Sequence, residues 1–330
     1  MILKVYKRRR DDEMKKVYVA RGIDEEAIEL LKEKFTVVVN PNDRELTREE
    51  LKTIAPKYDG ILTMLSNNID KEIIDLAGQC KIFADYSVGY NNFDIEYAKE
   101  KGIVMTNTPG VLTNATADLA FALLLAASRR IVESDCYVRD GKFKEWKPKL
   151  LLGKETHGKT LGIIGMGRIG EAFVKRAMGF GFEIVYYNRT RKLEMEQAYG
   201  LTYLTLDELL KISDFVTIHT PLSKETFHFI GEREIGLMKE DVVFVNTSRG
   251  PVVDEKAMIA ALDTGKFFGI GLDVYENEPL VPKELMRHRR AVLMPHIGSA
   301  TEEARKQMAM IAVKNIIEVL EGREPLTPVN

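Results

Sequence analysis

Residues 161–170, Leu-Gly-Ile-Ile-Gly-Met-Gly-Arg-Ile-Gly, constrain the fold more than any other part of the chain. An apolar run ends there in a glycine-rich turn and opens a helical pattern. Gly165, Gly167 and Gly170 make a G-x-G-x-x-G spacing with a strand before it and a helix after it. In that context the spacing signals a dinucleotide site rather than a plain strand-to-helix turn. Each glycine has its own reason. Gly165 allows the tight turn, Gly167 lets a pyrophosphate approach the backbone, and Gly170 lets the helix pack close to its strand. The anion would rest on free N–H groups of the turn and helix N-terminus, from Gly165 through Met166, Arg168 and Ile169 to Gly170, where the helix dipole favours negative charge.

The next strand, Phe182 to Tyr187, ends in Asn188-Arg189-Thr190-Arg191-Lys192. A dinucleotide fold that takes NAD(H) usually carries a carboxylate near this point to hold the ribose 2′-hydroxyl. Here the position 18 residues past Gly170 is Asn188. A carboxylate would repel a 2′-phosphate, whereas the Arg189 fork and the Thr190 hydroxyl can bind one. NADP(H) is therefore expected over NAD(H). In the alternative, Arg189 only stacks on the adenine and the site takes both cofactors.

The length of 330 residues favours two domains, and a 45% hydrophobic, 30% charged composition can bury a large core. A net charge of −2 gives no support for nucleic acid or an anionic membrane as partner. No apolar run reaches the length of a membrane span. Cys80 and Cys136 lie in unrelated segments without metal-ligand spacing, so no metal site is expected, and structural thiols in a reducing cytoplasm are. Residues 1–13 stand apart as an N-terminal extension, expected to be disordered. The run Lys7-Arg8-Arg9-Arg10 has no apolar segment of a secretory signal after it, and Met14 is an equally good first residue.

From Met14 onward, short β-branched runs alternate with helical patterns, which implies parallel βαβ units. Strands are expected at 16–20, 36–39, 60–65, 82–84 and 103–106, with helices near 24–34, 47–54, 70–77 and 94–101. The rhythm resumes with strands at 160–164, 183–187, 215–219, 242–246, 269–273 and 292–294. The fold class is thus α/β with two doubly wound parallel-sheet domains. Residues 115–130, rich in Ala and Leu, read as a helix, either a core helix or a hinge between domains. Residues 301–320 read as a helix ending at Gly322 as its C-cap and returning to the first domain. The expected boundaries are 14–112 with 299–330 for a discontinuous substrate-binding domain and 113–298 for the dinucleotide-binding domain.

Five histidines are present. His296 lies just beyond a strand's C-terminal end, where open α/β sheets place their sites. Arg249 follows another apolar strand, and Glu278 comes shortly after Gly271-Leu272-Asp273-Val274. Each alone reads as an ordinary packing or ion-pair residue; three such residues at strand ends of one domain point to a shared crevice.

Together, Gly-Met-Gly-Arg-Ile-Gly, Asn-Thr-Ser-Arg-Gly, Gly-Leu-Asp-Val-Tyr-Glu-Asn-Glu-Pro and Pro-His-Ile-Gly-Ser-Ala-Thr resemble the NAD(P)-dependent D-2-hydroxyacid dehydrogenases over residues 14–330. Thr116-Ala117-Asp118-Leu119, Trp146-Lys147-Pro148 and the run from Asn188 bring the resemblance nearest to glyoxylate/hydroxypyruvate reductases. It implies a Rossmann nucleotide-binding domain plus a flavodoxin-like substrate domain, with the active-site cleft between them. It implies His296 as general acid/base, Glu278 as its partner, and Arg249 as the clamp on the substrate carboxylate. Asp273 would orient the nicotinamide carboxamide, and Thr247, Ser248, Arg249, His296, Ile297 and Gly298 would line the cofactor. Val88 and Gly89, in a glycine-bearing turn, would hold the carboxylate by their N–H groups. Leu65 would cap the pocket, and Trp146 would reach a partner's site across a homodimer or pack in its interface. His219 would abut the adenosine.

The implied activity is reduction of a small 2-keto acid to the 2-hydroxy acid, the D-isomer where chiral. Phosphoglycerate dehydrogenase is the enzymatic alternative; the chain's end at Asn330, with no appended regulatory domain, is expected to disfavour it. Dinucleotide-sensing corepressors share the fold and are the non-enzyme alternative.

Overall fold

The computed structural model describes residues 14–330, so the extension expected at 1–13 lies outside the described residues. The described chain divides into two compact units, residues 14–111 with Glu302–Asn330, and Leu112–Thr301.

The first unit is built on five parallel strands: β1 (Lys16–Val19), β2 (Thr36–Val39), β3 (Gly60–Thr63), β4 (Ile82–Asp85) and β5 (Val104–Thr106), in the order β2-β1-β3-β4-β5. Alternate residues feed opposite faces, as the strand period of two requires. Val17, Val19, Leu62, Ile82 and Ala84 pack with Ala309, Ala312, Val313 and Ile316 of the helix Glu302–Leu320. Tyr18, Ile61, Phe83 and Met105 face the other way, onto Leu51, Ile73, Ile74 and Ala98. Both faces are covered, which is why the strands read as continuous apolar runs. Helix starts follow the sequence signals: Asp24, Asp70 and Asp94 accept from the N–H groups of Ala27, Ile73 and Tyr97, and Thr47 with Glu50 forms a capping box. The helix from Glu302 is followed by Gly322 at φ +79°, in the left-handed region expected of a C-cap glycine.

The second unit holds seven parallel strands: β6 (Thr160–Ile164), β7 (Glu183–Tyr187), β8 (Thr202–Tyr203), β9 (Phe215–Ile218), β10 (Val242–Asn246), β11 (Phe267–Leu272) and β12 (Ala291–Leu293). Their order is β12-β11-β10-β9-β6-β7-β8, so the winding direction reverses between β6 and β9. That reversal opens a crevice at the strands' C-terminal ends, where such sheets bind ligands. The helix Thr113–Ser128 is a core helix of this unit, with Ala117, Ala120, Leu123, Leu124 and Ala127 buried. It lies directly on β11 because two strand residues are glycines. A Cβ on Gly271 would come within 2.9 Å of the Leu123 Cβ, and one on Gly269 within 3.0 Å of the Ala127 carbonyl.

Most element bounds shift by one or two residues, and β8 and β11 differ from the sequence expectation for a physical reason. β8 is only two residues long, too short to leave a periodic signal. β11 begins at Phe267 rather than Gly269, because its pairing with β10 extends through an irregular register at Val242. Among the described residues no helix is long and apolar enough to cross a membrane.

Candidate active site

The glycine turn after β6 has the geometry that its three glycines call for. Gly165 sits at φ +97°, and a Cβ there would lie 2.8 Å from the backbone carbon of His219. A Cβ on Gly170 would lie 2.2 Å from the Gly165 carbonyl oxygen, so only glycine permits the helix to start so close to its strand. A Cβ on Gly167 would meet nothing within 4 Å. Its freedom from contact leaves the backbone open to an approaching ligand. The helix Arg168–Ala177 begins at Gly167 without any side-chain cap, which leaves its first N–H groups for an anion. These features fit a dinucleotide pyrophosphate.

At the end of β7, Asn188 is tied into the protein by both ends of its amide. Its Oδ1 accepts from the Met166 N–H at 3.1 Å, and its Nδ2 donates to the Thr190 carbonyl at 2.7 Å. Asn188 thereby joins the glycine turn to the loop behind it. Arg191 is held by Glu196, at 2.7 Å, and lies over the Tyr203 ring. Arg189 and Thr190 are exposed. His219 follows β9, with its Nε2 3.2 Å from the Thr217 hydroxyl, and burial pushes its titration down to about 3. Its backbone lies against the glycine turn, the N–H donating to the Ile164 carbonyl at 2.7 Å.

The ends of β10, β11 and β12 carry the other expected residues. After β10, Asn246 braces the turn: its Oδ1 accepts from the Ser248 N–H (2.9 Å) and hydroxyl (2.8 Å), and its Nδ2 donates to the Arg249 carbonyl (3.0 Å). The Thr247 hydroxyl is buried without a partner among the described residues. After β11, the Asp273 carboxylate is buried and accepts from the N–H groups of Ile297 and Gly298, each at 2.7 Å. The desolvation of Asp273 raises its titration despite these bonds. Those two N–H groups are spent on Asp273.

Beyond β12, His296 Nδ1 lies 2.6 Å from Glu278 Oε2, and the backbone at His296 adopts φ +54°. The other Glu278 oxygen accepts from the Tyr275 N–H at 3.0 Å. Burial alone would raise Glu278, but the His296 hydrogen bond and charge, with the Arg249 charge, leave it titrating below its ordinary value. An ionised carboxylate on Nδ1 leaves Nε2 as the nitrogen that can carry a proton to or from a ligand.

Residues 121–298 match the family described as D-isomer specific 2-hydroxyacid dehydrogenase, NAD binding domain. The chain belongs to the D-isomer specific 2-hydroxyacid dehydrogenases. A glyoxylate reductase of Thermococcus litoralis is 49% identical over 319 residues, covering 96% of each chain. One from Pyrococcus furiosus is also 49% identical, over 96% of this chain and 95% of its own. The crystal structure of a glyoxylate reductase from Paecilomyes thermophila superposes with a TM-score of 0.86 at 36% identity, over 96% of this chain and 98% of that one. An NADPH-dependent glyoxylate/hydroxypyruvate reductase from Sinorhizobium meliloti, in complex with NADP and malonate, gives 0.84 at 31% identity, over 96% and 97%. This dehydrogenase is accordingly an NAD(P)-dependent oxidoreductase of small 2-hydroxy and 2-keto acids.

In the dehydrogenase's first unit, Leu65 follows β3 and is half-buried. Val88 and Gly89 follow β4 in a turn pinned from within. Asn107 donates to the Val88 carbonyl at 2.7 Å, and the Ser87 hydroxyl sits between the Gly89 carbonyl and Asp85. With both carbonyls engaged, the turn's N–H groups are its remaining polar face. Trp146 is 79% exposed. Two residues that shape the site, Asn246 and Tyr275, had no role assigned from sequence. Asn246 carried a usable signal, because Asn at a strand end before Thr-Ser-Arg-Gly is the signature of a side chain that caps its own turn.

Proposed function

We propose that this protein reduces glyoxylate, hydroxypyruvate and similarly small 2-keto acids to the 2-hydroxy acid, the D-isomer where chiral, with NADPH preferred over NADH. The observation that carries the reading is the 2.6 Å His296–Glu278 pair at the C-terminal end of β12, with the Arg249 charge felt at the same carboxylate. The names of relatives sharing about half their residues support the substrate class.

His296 acts as general acid. Its Nδ1–H donates to Glu278, which stabilises the imidazolium, and Nε2 delivers the proton to the substrate's keto oxygen. In the oxidising direction the same nitrogen takes the proton back. The planar, permanently charged fork of Arg249 binds the substrate carboxylate and polarises the carbonyl. The N–H groups of Val88 and Gly89 suit a carboxylate, and Leu65 suits a limit on substrate side-chain size. The bound dinucleotide supplies the hydride from its nicotinamide ring. Asp273 orients the carboxamide of that ring with the lone pairs left after Ile297 and Gly298. Thr247 and Ser248 line the same wall.

Asn188 sets the shape of the 2′-phosphate subsite, and Arg189 and Thr190 supply its donors. The exposed Phe143, Trp146 and Leu152, together with the helix Ile131–Arg139, none of whose residues is buried, support a homodimer through this face.

The test is kcat/KM for glyoxylate with each cofactor, on the wild type and on Asn188→Asp combined with Arg189→Leu. Wild-type turnover favouring NADPH, and a shift toward NADH of ~10-fold or more in the variant, is the expected result. An unchanged cofactor ratio would refute the 2′-phosphate role. Absence of turnover with any small 2-keto acid would refute the substrate assignment and favour a dinucleotide-binding role without catalysis.

A further inference from the structure

We propose that Tyr275 is a positioning residue for the His296–Glu278 pair, gripping one partner with its backbone N–H and the other partner's segment with its hydroxyl. The proposal rests on the reading of His296 as the acid–base group. The Tyr275 N–H donates to Glu278 Oε1 at 3.0 Å, and its phenol donates to the Met294 carbonyl at 2.9 Å, two residues before His296. The ring is buried among the apolar residues beneath β10 and β11. Its backbone is fixed from a third side. A Cβ on Gly250 would fall 1.9 Å from the Tyr275 carbonyl, so the turn that carries Arg249 lies directly against this residue.

His296 needs such support. At φ +54° it occupies the left-handed region, which a residue with a Cβ keeps only when its surroundings impose it. Hydrogen bonds on both sides impose it. Asp273 holds the residues just after His296, through the N–H groups of Ile297 and Gly298, and Tyr275 holds the carbonyl before it. Without the phenol the Met294 carbonyl is released while its N–H stays on the Leu272 carbonyl, and the imidazole can drift from the carboxylate that Tyr275 still orients. A proton-transfer group misplaced by a fraction of an ångström loses rate without losing ligand affinity.

Tyr275→Phe in the full chain keeps the ring and the N–H and deletes only the hydroxyl. The kcat for glyoxylate reduction should fall by ~10-fold, with KM and the Kd for NADPH within about twofold of wild type. In a Glu278→Gln background the same change should have almost no further effect on kcat, because the pair it positions is already broken. Equal losses in both backgrounds, or a loss carried by KM or NADPH binding, would overturn the proposal. A readout independent of turnover is the proton NMR signal of the His296 Nδ1–H, identified by its absence in His296→Asn. Tyr275→Phe should move or broaden that signal, and an unchanged signal would overturn the positioning role. Should the wild type reduce no 2-keto acid, the functional reading fails on its own, while this signal still decides whether Tyr275 holds the pair.

Discussion

Two histidine–glutamate pairs in the second unit are built on alternate residues of one segment, and they have different surroundings. His296 Nδ1 meets Glu278 at 2.6 Å, and His228 Nε2 meets Glu276 at 3.1 Å. Both histidines have left-handed backbones, at φ +54° and +49°. Around His228 both ring nitrogens face carboxylates, with Nδ1 3.9 Å from Asp254 Oδ2. Its ring stacks on Phe227 with centroids 4.0 Å apart, and its N–H donates to the Pro251 carbonyl. Glu276 and Glu255 exchange backbone-to-carboxylate bonds at 3.3 and 3.4 Å. That pair fastens the segment following Arg249 to the segment preceding Glu278. Around His296, among the described residues, one ring nitrogen is held by Glu278 and the other is left at the C-terminal end of a strand. A histidine–carboxylate pair is therefore not a catalytic signature in itself. What distinguishes His296 is a nitrogen left over for a ligand, at the end of the sheet where ligands bind.

The largest expected effect separates the pairs by rate. His296→Asn should lower kcat for 2-keto acid reduction by ~10³-fold with NADPH affinity unchanged, since a positioned acid contributes on that order. His228→Asn should leave kcat within about threefold and instead lower stability by ~1 kcal/mol, the scale of a lost hydrogen bond, read as a urea midpoint. Comparable losses of rate in both variants would erase the distinction and make the His228 pair part of the chemistry.

The same contrast shows what could be read from the chain. The glycine turn was legible because sterics leave no other residue at Gly165 and Gly170, so spacing and geometry coincide. His296, Arg249 and Glu278 were legible as residues following apolar strands. His228 was separated from His296 by position alone, since it follows no strand end in the sequence reading. His228 becomes structural through Glu276 and Pro251, partners brought to it by folding. Tyr275 was silent for a related reason: an aromatic beside a strand reads as core, and its hydroxyl finds the Met294 carbonyl 19 residues away. Asn188 was read as the absence of a carboxylate, and the two hydrogen bonds that tie the loop to Met166 and Thr190 were not legible.

A smaller effect tests the Glu278 side of the contrast by its pH dependence. Because Glu278 titrates below its ordinary value of 4.5, the folded state favours its ionised form. The stability it contributes is present in full above pH 4.5 and is lost as pH falls through the folded value. Glu278→Gln removes that contribution at neutral pH and has nothing left to remove once the wild-type carboxyl is protonated. The stability gap between wild type and variant should therefore be widest near pH 7 and close as the solution is acidified. Its size should be at most ~1 kcal/mol, because a third of the side chain remains exposed to solvent and screening. Urea midpoints of the two proteins at neutral and acid pH measure it. A gap that stays constant across that range would mean that Glu278 is held by shape alone, and that its charge does not distinguish it from an amide at the same place.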